Sequence, residues 1–201
     1  MENYKKNLHF LKENNVYSED MEHDACGVGI IASTEGKKSR KVVEYGIEAL
    51  KAVWHRGAVD ADGKTGDGAG IHVEIPKDFF IEKIEVTGHT HDNSEICVGM
   101  IFLPRNDYAA QESCKTIVES ELTKNDFSIY GWRQVPVNPK VLGEKAFQTM
   151  PEIIQVLFKP YNPELTNKDL ERKIYETRRK IENEAFKKSL NNFYICSLSS
   201  K

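Results

Sequence analysis

The sequence has no CxxC pair, no long apolar run and no surplus of positive charge. Its four cysteines, Cys26, Cys97, Cys114 and Cys196, stand far apart. That spacing supports neither a zinc site nor a disulfide framework. No apolar stretch approaches the ~20 residues needed to cross a bilayer. The opening MENYKKNLHFLKENN has no uninterrupted apolar segment of the secretory type. A membrane location is therefore excluded and a cytoplasmic one expected. With 28 Lys and Arg against 31 Asp and Glu, the formal net charge is -3. A nucleic acid partner is not expected at that balance. A metal site is not expected either, because the most metal-like pair, His89 and His91 next to Asp92, lies in a polar turn where solvation is the simpler role.

What is present describes an ordinary globular chain. Hydrophobic residues make up 39% and charged residues 29% of 201 positions, enough to build one core. Residues 1–25 stand apart: they are polar and carry few apolar anchors, and without them acidic and basic residues balance. From Cys26 the pattern becomes regular. CGVGIIA reads as a short buried strand. Ser39 is placed to cap a helix in which Val43, Ile47, Leu50 and Trp54 recur at helical spacing. HRGAVDADGKTGDGAG is a loop by composition. IHVEIP alternates as a half-buried strand, and GHTHDNSE is a polar turn. ICVGMIFLP, FSIYGWRQVPV, IIQVLFKP and FYICSLS read as strands. Helices fit residues 106–124 and 167–188, the second with Leu170, Ile174, Ile181 and Ala185 inward. Strands and helices mix without strict alternation, which favours an α+β class, and several strands are apolar on both faces, as in a covered sheet.

Two features invite chemistry. Gly63, Lys64 and Thr65 look like the end of a phosphate-binding loop, but five residues separate Gly57 from Gly63 where four are needed. Such a loop also needs a strand before it and a helix after it, and here the order is reversed. A nucleotide site on the loop from Gly57 to Gly70 is thus the weaker reading. A tight surface turn is the plain one. A third reading is a wall against a catalytic centre, with Arg56 supplying fixed positive charge.

The second feature is Cys26, heading a run whose glycines, Gly27 and Gly29, permit close backbone approach. As an internal residue it is a small hydrophobe, like Cys97, Cys114 and Cys196 on their apolar faces. A cut between Ala25 and Cys26 would change its chemistry. The thiol would then share a residue with a free α-amine of pKa about 7.7–8.0, against about 10.4 for lysine. That amine can accept the thiol proton near neutral pH, so base and nucleophile reside on one residue. The residue pattern leaves both readings open.

DACGVGIIAS, followed about thirty residues later by HRGAVDADGKTGDGAGI and near the end by FYICSLS, closely resembles the class II glutamine amidotransferase domain of the glutamate synthase family, an N-terminal nucleophile hydrolase. The resemblance covers the chain from Cys26 onward. It implies a propeptide at residues 1–25, a partial amidotransferase domain at residues 26–201, and a four-layer αββα sandwich. It implies that Cys26 attacks the side-chain amide of L-glutamine, with Arg56, Gly27 and Asp67 lining the site. In that family the ammonia aminates 2-oxoglutarate in a synthase domain bearing FMN and an iron–sulfur cluster. The partners implied are the remainder of the large subunit and a small reductase subunit. Members complete the glutamine site with a later arginine and an Asn-Gly pair that supplies the oxyanion hole. No Asn-Gly dipeptide occurs in this sequence. The expectation is therefore an N-terminal fragment, its sandwich incomplete at the C-terminus, inactive alone and without a cofactor of its own. The competing expectation is a non-catalytic remnant or interaction module with the same half-fold.

Overall fold

The structure, a computed structural model, describes residues 6, 9, 10, 27–54, 57–92, 94–165 and 167–201. The chain divides into two compact units: Met1–Val59 with Asp67–Ile71, and Asp60–Gly66 with His72–Lys201.

In the first unit, α1 spans Arg40–Ala52. Ser39 caps it as its sequence suggests, its hydroxyl accepting from the Lys41 amide at 3.2 Å. None of the α1 side chains is buried. The run read as a buried strand is different: residues 27–33 form neither strand nor helix. Val28 is 87% and Ile30 90% exposed. Local sequence supplies β propensity, but a strand exists only where a neighbouring chain satisfies its amides and carbonyls.

The second unit is built on one four-stranded sheet: β1 (Cys97–Leu103), β2 (Phe127–Gln134), β3 (Glu152–Pro160) and β4 (Tyr194–Ser199). Spatial order is β2-β3-β1-β4 and every pairing is antiparallel. The helices are α2 (Lys77–Val86), α3 (Tyr108–Lys124), the short α4 (Glu144–Thr149) and α5 (Asn167–Lys187). The α+β class expected from the sequence holds. The four expected strands of this unit form, and so do both long helices.

One sequence reading changes here, and one helix appears that the sequence did not announce. IHVEIP forms no strand; Ile71 and Val73 are about half exposed, and Ile75 alone is buried. Residues 77–86, which the sequence reading did not assign, form α2; its apolar residues Phe79, Phe80, Ile81, Ile84 and Val86 do not keep to one helical face, and only Phe80 and Ile84 are buried.

One face of the sheet carries the main core. Ile101, Leu103, Ile154, Val156, Phe158 and Ile195 meet Ile117, Val118 and Leu122 of α3 and Leu170, Ile174 and Ile181 of α5. The stripe on α5, Leu170, Ile174, Thr177, Ile181 and Ala185, has the three- and four-residue spacing of a single helix face. Thr177 lies in that stripe without an orphaned group, because its hydroxyl donates to the Lys173 carbonyl at 2.8 Å. A smaller core on the opposite face gathers Ile75, Phe80, Ile84, Ile96, Val98, Tyr130 and Leu157. Gly99 sits where β1 is squeezed between its neighbours. A Cβ there would stand 2.6 Å from Leu198 Cδ1 and 2.7 Å from Val156 Cγ1, so even one methyl group displaces both.

Polar contacts tie β4 to α5. Glu171 accepts from the Ser200 amide at 2.7 Å and from its hydroxyl at 2.6 Å. The Arg178 guanidinium donates to the Ile195 carbonyl at 2.7 Å. Cys97 and Cys114 are buried thiols as expected, but Cys196 is exposed. Ile195 and Leu198 turn toward the main core, and Cys196 between them is left outside.

Candidate active site

Of the four residues singled out for glutamine chemistry, Cys26 and Arg56 lie outside the described residues. Gly27 opens the exposed run that forms neither strand nor helix. Asp67 has a definite partner: its Oδ2 accepts from the Ala58 amide at 2.8 Å. Gly57 completes this corner. Its amide donates to the Trp54 carbonyl at 3.0 Å, and a Cβ at Gly57 would stand 3.3 Å from that oxygen and 3.6 Å from Asp67 Oδ2. The glycine after Arg56 thus lets the chain turn tightly at the end of α1, and Asp67 closes the corner from the far side of the loop.

The tip of the loop is held by a second carboxylate, which the sequence reading did not single out. Asp62 Oδ1 accepts from the amides of Lys64 at 2.9 Å and Thr65 at 2.7 Å. Asp62 Oδ2 accepts from the Thr65 hydroxyl at 2.6 Å and the Glu144 amide at 3.1 Å. These bonds, the Thr65 hydroxyl foremost, hold the Asp62 carboxyl far below the ordinary carboxylate range. Asp60 closes the turn, its amide donating to the Thr65 carbonyl at 2.7 Å, and its carboxylate pairs with Lys145 at 2.6 Å. Gly63 takes φ +69° at the tip, a conformation that suits glycine. The Asp-Gly pair at 62–63 is a turn signal visible in the sequence. The Glu144 contact lies 82 positions away, where no local pattern announces it.

This arrangement disposes of the phosphate-loop reading. A phosphate loop presents free backbone amides to the anion. Here the Lys64 and Thr65 amides already face an internal carboxylate, whose charge repels phosphate. Magnesium with millimolar ATP or GTP should therefore leave the calorimetric binding signal at baseline. Magnesium-dependent binding that Lys64→Ala abolishes would reinstate a nucleotide site.

The histidine pair does not assemble a metal centre. His89 Nδ1 contacts the Thr87 hydroxyl at 3.1 Å, and His91 Nε2 donates to the Ser94 carbonyl at 2.9 Å. Asp92 turns instead to Lys159 and to the Ser94 hydroxyl, at 2.6 Å from the latter. Those two partners, Lys159 foremost, draw its carboxyl far below the usual range. Among the described residues no group of three His, Cys, Asp or Glu side chains could hold a metal ion. No helix among them is long and apolar enough to cross a membrane.

Comparison with known proteins decides the family. The model for class-II glutamine amidotransferases matches residues 26–201. The chain belongs to this family. It is 51% identical over 198 residues to the large chain of the NADPH glutamate synthase of Azospirillum brasilense, covering 98% of this chain and 13% of that relative. It is 36% identical over 197 residues to the chloroplastic ferredoxin-dependent glutamate synthase of Spinacia oleracea, covering 96% of this chain and 12% of the relative. An Arabidopsis thaliana ferredoxin-dependent glutamate synthase is 40% identical over 182 residues, which is 90% of this chain and 11% of the relative. The chain thus spans about one eighth of the length of these amidotransferase-containing relatives.

Proposed function

We propose that this chain belongs to the glutaminase part of a glutamate synthase, with Cys26 as its nucleophile. The carrying observation is that the family match begins at Cys26 and runs through residue 201. In this reading residues 1–25 are removed, and the new α-amine takes the Cys26 thiol proton. The thiolate attacks the side-chain carbonyl carbon of L-glutamine to give a tetrahedral oxyanion. Collapse of that intermediate expels ammonia, the leaving nitrogen taking the proton back from the amine. Water then hydrolyses the thioester to glutamate. Arg56, Gly27 and Asp67 line the site; the corner made by Gly57, Ala58 and Asp67 supports that role for Asp67.

The reading extends to a synthase domain that uses the ammonia to aminate 2-oxoglutarate, with a small reductase subunit as a further partner and the cytoplasm as the location. FMN and an iron–sulfur cluster supply the redox chemistry of that other domain. The residues described here do not fit the cluster: Cys97 and Cys114 are both fully buried, and they share no ligand group with the exposed Cys196. No step of the glutaminase reaction runs through either group.

The test joins mass to activity. The full gene product, expressed in its native host, should begin at Cys26 by N-terminal sequencing and intact mass. It should release ammonia from L-glutamine. A product that retains residues 1–25 and still hydrolyses glutamine would refute the α-amine mechanism, and one that begins at Cys26 without hydrolysing glutamine would refute the activity.

A further inference from the structure

The loop from Arg56 to Gly70 contains five glycines, a composition that by itself implies many conformations. The structure shows what removes that freedom. A single carboxylate, Asp62, accepts four hydrogen bonds from three residues. Two of these residues, Lys64 and Thr65, belong to the same turn, and the third, Glu144, comes from the start of α4. Gly143, just before Glu144, is buried and leaves no room for a side chain. A Cβ there would meet Thr65 Oγ1 at 2.2 Å, Asp62 Oδ2 at 2.4 Å and the Thr65 amide nitrogen at 2.5 Å. The Asp60–Lys145 ion pair adds a further attachment beside it. The tip of a glycine-rich loop is thus bolted to a segment about eighty positions away, through a contact that admits only glycine on one side and suits only a carboxylate on the other.

We propose that Asp62 is a positioning residue for glutamine hydrolysis, acting through the turn at residues 60–66 to hold the loop that bears Asp67 in one conformation. This rests on the glutaminase reading above. An asparagine at 62 keeps one acceptor oxygen for the Lys64 and Thr65 amides, but its amide nitrogen cannot accept from the Thr65 hydroxyl or the Glu144 amide. Alanine loses all four bonds. Alanine at 143 leaves Asp62 intact and forces the turn away from α4, because the clash includes backbone. Without the bolt the loop populates several conformations, and glutamine must select the competent one. That selection raises the apparent dissociation constant by the inverse of the competent fraction and leaves the bound complex unchanged. The signature is a higher KM with kcat preserved, whereas damage to the nucleophile lowers kcat.

The experiment is steady-state glutaminase kinetics on the full gene product carrying Asp62→Ala, Asp62→Asn or Gly143→Ala, with thermal unfolding measured on each. KM for glutamine should rise about tenfold in Asp62→Ala and in Gly143→Ala, with kcat within about twofold of the parent. Asp62→Asn should fall between. The double variant Asp62→Ala with Gly143→Ala should add little to either single change, because both break one contact. Parent-like KM in both single variants, or a loss confined to kcat, overturns the positioning role and leaves the glutaminase reading standing. Absence of glutamine hydrolysis in the unsubstituted product overturns that reading and this role together. Should Asp62→Ala fail to fold, Gly143→Ala and Asp62→Asn decide by the same KM and kcat criteria.

Discussion

Cys26→Ser should abolish glutamine hydrolysis by the full gene product, lowering kcat on the order of 10⁴-fold or more, as loss of a covalent nucleophile does elsewhere. The argument is one of acidity and charge. An α-amine of pKa about 7.7–8.0 is matched to a thiol near neutral pH and is a poor base for an alkanol. A serine at that position keeps the shape and loses the thiolate. The companion measurement is labelling with a glutamine-shaped electrophile, which should modify Cys26 and be blocked by excess glutamine. Cys97 and Cys114 should stay unlabelled in the native protein. Burial pushes the Cys114 thiol up to about 11, with Asp107 adding to the effect. Burial raises Cys97 further still, reinforced by the charges of Glu171 and Glu95. Cys196 is exposed and will react with general thiol reagents, so protection by glutamine is the diagnostic part. Retained hydrolysis in Cys26→Ser, or labelling that glutamine does not protect, would show that another group is the nucleophile.

Ile181→Ala should cost this chain about 2–5 kcal/mol of stability, the usual range for emptying a fully buried isoleucine site. Ile181 is wholly buried at the middle of the α5 stripe. It lies in the cluster that includes Val118 and Leu122 of α3 and Ile195 of β4, so α5 cannot tilt to fill the gap without uncovering a neighbour. Tyr175→Ala, on the same helix at a position 62% exposed, should stay within about 0.5 kcal/mol. Urea unfolding followed by circular dichroism reads both. A cost below about 1 kcal/mol for Ile181→Ala would mean that α5 does not cover the sheet as described.

The two predictions differ in where their support lies. The Cys26 prediction rests on a motif: a cysteine before two closely spaced glycines, then HRGA and GKTGDGAG, the pattern that resembles the amidotransferase family. Ile181 was legible in its spacing instead. A helix buried along one side repeats its apolar residues every three or four positions, and Leu170, Ile174, Ile181 and Ala185 do so. The same rule failed over Lys77–Val86, where two buried residues, Phe80 and Ile84, are too few to reveal a period. It failed in the opposite sense for residues 27–33 and 71–75. Their apolar residues suggested strands, but a strand requires a hydrogen-bonded neighbour as well as the right side chains.

By itself, then, the sequence determined the family, the α+β class, the strands at ICVGMIFL, FSIYGWRQ, EIIQVLFKP and YICSLS, and the two long helices. Each of these is encoded in contiguous residues whose period or motif can be read without knowing what lies opposite. Only the tertiary structure decided the strand order β2-β3-β1-β4, the requirement for a bare glycine at 99, the exposure of Cys196, and the use of Asp62 as an internal anion bolted to Gly143 and Glu144. These all depend on which distant segment arrives next to a residue. A chain can meet itself in too many ways for local pattern to specify that meeting, and close packing of side chains, with the pairing of every buried polar group, selects among them.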